Sequence, residues 1–89
     1  MASPTIDQIQ RDSWAMAVAR AVTLADQEAV SAGVNLDQSL ITVMEELSGT
    51  DLLWRVHYGP REYKNRRGGD LYVIVDERNG VVRQVVRGQ

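Results

Sequence analysis

Apolar residues recur at helical spacing through the first third of the chain and at strand spacing through the remainder. Trp14, Val18, Ala21, Ala25 and Ala29 form one stripe at i, i+4, i+7 intervals, and Ala17 and Val22 widen it. This spacing predicts a helix over about residues 4–32. Its start is signalled in two ways. Ser3 can cap a helix that begins at Pro4, or Thr5 can cap one in which Gln8 closes a capping box. Gly33 marks its end, because glycine takes the left-handed C-terminal position with least strain. At 1.5 Å per residue such a helix runs roughly 40 Å, whereas strands of seven or eight residues reach only about 25 Å. The first two turns, with Ile6 and Ile9, are therefore expected to project past the sheet or bend away near Asp12 and Ser13. One bent helix, or a short helix followed by a long one, fits equally well.

After Gly33 the period changes to two. "SLITVMEEL" (39–47) is rich in β-branched residues, and "LLWRVHY" (52–58) alternates with Trp54, Val56 and Tyr58 on one face. The intervening glycine and Asp51 predict a hairpin between them. "GPREYKNRRGG" reads as a polar loop, and a last hairpin joins strands over about 70–77 and 81–87. Its turn lies at Asn79-Gly80, either as a two-residue type I′ loop or as a three-residue loop with a glycine bulge. The two differ by one residue in register, so they exchange which of Val81 to Val86 face the core.

One helix followed by four meandering strands predicts a single α+β domain over residues 1–89, with the long N-terminal helix on the concave face of the antiparallel sheet. One feature strains that picture. Leu71, Val73 and Val75 occupy one face of the third strand, yet Tyr72 and Ile74 make its other face apolar too. The helix covers only one of them. An apolar convex face on a small domain predicts an interaction surface, with a homodimer as its simplest occupant.

Composition narrows the chemistry. With no cysteine the chain has no disulfide, thiolate metal site or cysteine nucleophile. No apolar run approaches the roughly 20 residues of a membrane span, so a membrane role is not expected. The opening residues also lack a basic region followed by an apolar segment. They fit a cytoplasmic chain, or a mature chain whose signal peptide was removed. Charge is uneven along the sequence: residues 21–54 hold six acids and no base, whereas residues 55–89 hold eight bases and four acids. Such asymmetry points either to a charged partner or to neutralisation between the two halves across strand pairs.

Catalytic constellations are not visible. His57 is the only histidine, sits mid-strand, and has no nucleophile at a spacing that implies a triad. Glu45-Glu46 and Asp76-Glu77 are adjacent on strands, so their carboxylates point to opposite faces. "RRGGD" leads into a strand rather than the helix a phosphate loop needs, and one histidine with scattered acids is no metal cluster. No cofactor is implied and no enzyme activity is expected. The loop "YGPREYKNRR" interleaves bases with Tyr58 and Tyr63, as a single-strand nucleic-acid site would, but the pI of about 5.2 makes nucleic acid an unfavoured partner.

"WRVHYGP" followed by "RRGGDLYVIVDERNGVVRQVVRGQ" resembles the C-terminal pattern of small bacterial immunity proteins with a cystatin-like or nuclear-transport-factor-two-like fold. The matching positions are Trp54, Val56, Gly68, Gly69, Val73, Val75, Asp76, Gly80, Val81 and Val82, over about residues 52–89. A related ending occurs in PepSY-like modules of exported proteins, which are regulatory or structural. The resemblance implies a cytoplasmic antitoxin that binds a cognate toxin domain and blocks its active site or substrate access. If that toxin has a basic site, Asp37, Glu45, Glu46 and Asp51 are the residues expected to meet it, mimicking phosphates and steering association. The alternative contact is the loop carrying Tyr63, Arg66 and Arg67.

Overall fold

The computed structural model describes residues 6–61 and 70–88. One helix, α1 (Ile6–Ser31), is followed by a short 3₁₀ turn (Leu36–Gln38) and four strands, β1 (Ser39–Ser48), β2 (Asp51–Pro60), β3 (Leu71–Asp76) and β4 (Val81–Arg87). The strands form one antiparallel sheet in the order β1-β2-β3-β4, so the fold is α+β with a helix on a meander. The helix is a single element rather than a short and a long one. Its starting caps, Ser3 or Thr5, lie outside the described residues.

Small side chains let α1 lie close to the sheet. Ala21, Ala25 and Ala29 are buried at one-turn intervals against Trp54, Val56 and Tyr58 of β2 and Leu71, Val73 and Val75 of β3. Trp14, more than half exposed, meets Trp54 edge-on with ring centroids 5.9 Å apart. At its other end the helix closes in a Schellman motif. Gly33 has φ +91°, its N–H donates to the Val30 carbonyl (3.0 Å), and the Val34 N–H donates to that of Ala29 (2.9 Å). Two polar clamps then tie helix to sheet. The buried Tyr58 hydroxyl donates to Asp26 Oδ1 (2.5 Å), and the Arg87 guanidinium donates to the Ala32 carbonyl.

The last hairpin differs from both expected turns. Four residues, Glu77 to Gly80, separate the paired Asp76 and Val81, and the Gly80 N–H closes the loop on the Asp76 carbonyl (2.9 Å). Type I′ is ruled out because it needs positive φ at both central residues. Gly80 alone has it (φ +64°), while Asn79 donates its N–H to Asp76 Oδ1 (2.9 Å). The register then shifts between Ile74 and Val75: Val75 pairs with Val82 but Ile74 with Gln84, leaving Arg83 as an extra, bulged residue. The bulge explains the sequence "VVRQVV". Val82 and Val85, three apart, both take the helix side, while Val81 and Val86 take the outer side.

The helix packs on β2, β3 and β4, which leaves β1 at the margin. Ile41, Val43 and Leu47 on the helix side are consequently exposed, and with Leu40 and Met44 on the outer side they make β1 37–70% exposed at its large apolar positions, on both faces.

Candidate protein-binding face

Antiparallel register places opposite residues on one face, so the side of the sheet away from the helix can be read strand by strand. It carries Glu46 and Ser48 from β1, Leu53, Arg55 and His57 from β2, Tyr72 and Ile74 from β3, and Gln84 and Val86 from β4. All of these except His57 line a groove of about 510 Å³. Leu53, Ile74 and Val86 supply its apolar surface; Arg55, Glu46 and Gln84 supply its hydrogen-bonding groups.

Tyr72 is the hub of this face. His57, its direct cross-strand partner, stacks on it with centroids 4.6 Å apart and planes 16° from parallel. The Arg55 guanidinium lies 5.9 Å from the ring centroid, a cation–π distance, and is held by Glu46 Oε2 at 3.2 Å. His57 Nε2 in turn faces Asp70 Oδ1 at 3.6 Å, outside hydrogen-bond length, and both atoms are buried. Ile74 sits between its cross-strand partners Arg55 and Gln84 and is only 8% exposed. The second apolar face of β3 is therefore covered largely from within the chain, by the stems and rings of polar residues on neighbouring strands.

Contacts with later strands also offset part of the charge asymmetry. Glu46 meets Arg55 and Asp51 Oδ2 meets Arg83 Nη1 at 3.2 Å, so two of the six acids in the base-free stretch are paired with bases, and a third, Asp26, accepts a hydrogen bond from the neutral Tyr58 hydroxyl. Of the acids expected to face a partner, Asp37 lies in the 3₁₀ turn ahead of β1, with its N–H bonded to Asn35 Oδ1. Glu45, Glu46 and Asp51 lie toward the opposite end of that strand, more than about 20 Å away at 3.3 Å per residue. One contiguous acidic surface is not formed by the four. Glu45 and Glu46 point to opposite faces, as adjacent strand residues must. On the helix side the Glu77 carboxyl is pushed up to about 7, first by the neighbouring Glu45 side chain and then by burial. Asp76 is held below its usual range, chiefly by the Asn79 N–H. Tyr63, Arg66 and Arg67 lie outside the described residues.

Arg55, His57 and Asp70 were not among the expected contact residues, and Tyr72 was expected only as part of the apolar outer face of its strand. What gathers them is the β2·β3 register, which sets His57 beside Tyr72, 15 residues further along the chain. Among the described residues no three His, Asp or Glu side chains converge as metal ligands, and no helix is long and apolar enough to cross a membrane. No protein-family model, characterised protein or solved structure matches the chain.

Proposed function

We propose that this chain is a non-catalytic binding protein that occludes a partner protein, in the manner of an immunity protein against its cognate toxin, and that it does so with the outer sheet face. The observation that carries this reading is the Tyr72–Arg55 centre of the groove. Tyr and Arg are the residue types that dominate binding energy when a partner desolvates them, and here they are ringed by apolar and amide groups on a rigid sheet. Arg55 is already oriented by Glu46 and Tyr72, so little side-chain freedom is lost on docking. The immunity role itself rests on the sequence resemblance. A regulatory or structural module is the competing class.

The test is co-expression with the proteins encoded beside its gene, scored as rescue of growth, followed by calorimetry on the purified pair. Rescue by the wild type, with Arg55→Ala weakening binding by about tenfold or more and Gln84→Arg blocking the groove, is the expected result. Full rescue and unchanged affinity in both variants would move the interface elsewhere. No binding or protection by any neighbour-encoded protein would remove the immunity role.

A further inference from the structure

We propose that the free edge of β1 pairs with the β1 of a second copy, antiparallel about a two-fold axis at Thr42, to give a continuous eight-stranded sheet. The two edges of this sheet are treated differently. At β4 the edge is guarded: Arg83 is bulged out of register, and Arg83 and Arg87 place two cations on seven residues. Bulges and charged side chains, cations above all, are what keep an edge strand from pairing with another chain. β1 has no bulge and no cation, and its two charges, Glu45 and Glu46, lie toward its C-terminal end. Its ten residues pair with β2 in unbroken register and contain no proline, glycine, lysine or arginine, and among the described residues no strand pairs with its other edge.

Its exposed side chains say how it is covered. Leu40 and Met44 lie on the outer face and Ile41, Val43 and Leu47 on the helix face, and all five are exposed. A partner lying on either face would cover one set only. A strand added at the edge sets its own side chains beside both. The helix leaves room for this, because its packing is on β2, β3 and β4.

The strand is also complementary to itself. With Thr42 opposite Thr42 of the second copy, residues whose numbers sum to 84 face each other on the same side. Ile41 then meets Val43, Leu40 meets Met44, and Glu45 meets Ser39. Four of the five exposed apolar residues face apolar ones, Leu47 falls opposite Asp37 beyond the paired stretch, a Thr–Thr pair lies at the axis, and no carboxylate faces another. Head-to-tail pairing with β4 of another copy is opposed by the Arg83 bulge, whereas the two-fold contact is closed and uses one patch twice. A second copy is present whenever the chain is, so an unguarded edge is covered without waiting for any other partner.

Cysteine cross-linking reads the register directly, since the chain contains no cysteine of its own. Sedimentation equilibrium of the wild type should give twice the 9.9 kDa chain mass. Under mild oxidation Thr42→Cys should cross-link to itself. A mixture of Ile41→Cys and Val43→Cys should cross-link faster than either alone. Thr42→Lys, an exposed change that preserves the circular dichroism spectrum, sets two cations opposite each other and should raise the dimer dissociation constant by about tenfold or more. A monomer at about 100 μM, or a dimer indifferent to Thr42→Lys, would overturn the proposal. The outcome is separable from the proposed partner contact, because Thr42→Lys leaves Arg55 and the groove in place.

Discussion

Tyr58→Phe isolates the bond that fastens α1 to the sheet. Tyr58 is 1% exposed, so a phenylalanine ring fills the same space and apolar burial is unchanged. What is lost is the 2.5 Å hydrogen bond from its hydroxyl to Asp26. Hydrogen bonds to a charged group contribute about 1.5–3 kcal/mol net. Asp26 is only partly buried, and water rehydrates its carboxylate once the phenol is gone, which places the loss near the lower end, about 1.5–2 kcal/mol. In a domain of this length that corresponds to a fall in Tm of roughly 10 °C. Urea denaturation should show a lower midpoint with an unchanged slope, because the surface exposed on unfolding is the same. Repeating the substitution in an Asp26→Ala background should remove most of the effect. A Tyr58→Phe protein within about 0.5 kcal/mol of wild type, or a full loss that persists without Asp26, would refute the assignment of this energy to the pair.

Two further outcomes follow from the same packing. Ala25 is fully buried between α1 and the sheet, so Ala25→Leu should force the two apart and cost about 1–3 kcal/mol in thermal denaturation; wild-type stability would mean that the interface holds more space than its alanine stripe implies. The Glu77 carboxyl is raised from near 4.5 to about 7 in the folded chain, so the native state binds this proton more tightly than the unfolded one. Its contribution is complete below about pH 4.5 and is lost as pH rises to about 7. Denaturation midpoints measured across that window should fall, and Glu77→Gln should flatten the change; a flat wild-type profile would count against a raised Glu77 carboxyl.

Period alone determined much of this protein. The alanine stripe, the change from helical to strand spacing after Gly33, and the alternation of Trp54, Val56 and Tyr58 are local properties of the chain, and the helix and four strands follow from them. Gly33 ended the helix as expected because only one residue type takes that backbone conformation without strain. Turn chemistry was less decisive. Asn79-Gly80 marks the place of the last hairpin, but the four-residue loop and the Arg83 bulge depend on how β4 lies against β3, and they settle which valines face inward.

Charge and exposure belonged to the tertiary structure. Six acids without a base look like a surface for a charged partner, yet strand pairing and packing against α1 bring Arg55, Arg83 and Tyr58 to three of them. The outer face of β3 looks like surplus surface, yet Ile74 is buried between Arg55 and Gln84 from neighbouring strands and Tyr72 is half-buried against His57 and Arg55. The exposed apolar surface of the sheet lies instead mostly on its edge strands, five residues of β1 and three valines of β4, because an edge strand has a neighbour on one side only and β1 also lies beyond the main packing of the helix. Periodicity is written residue by residue, whereas exposure is a relation between segments distant in sequence, and it exists only once register and helix placement are set.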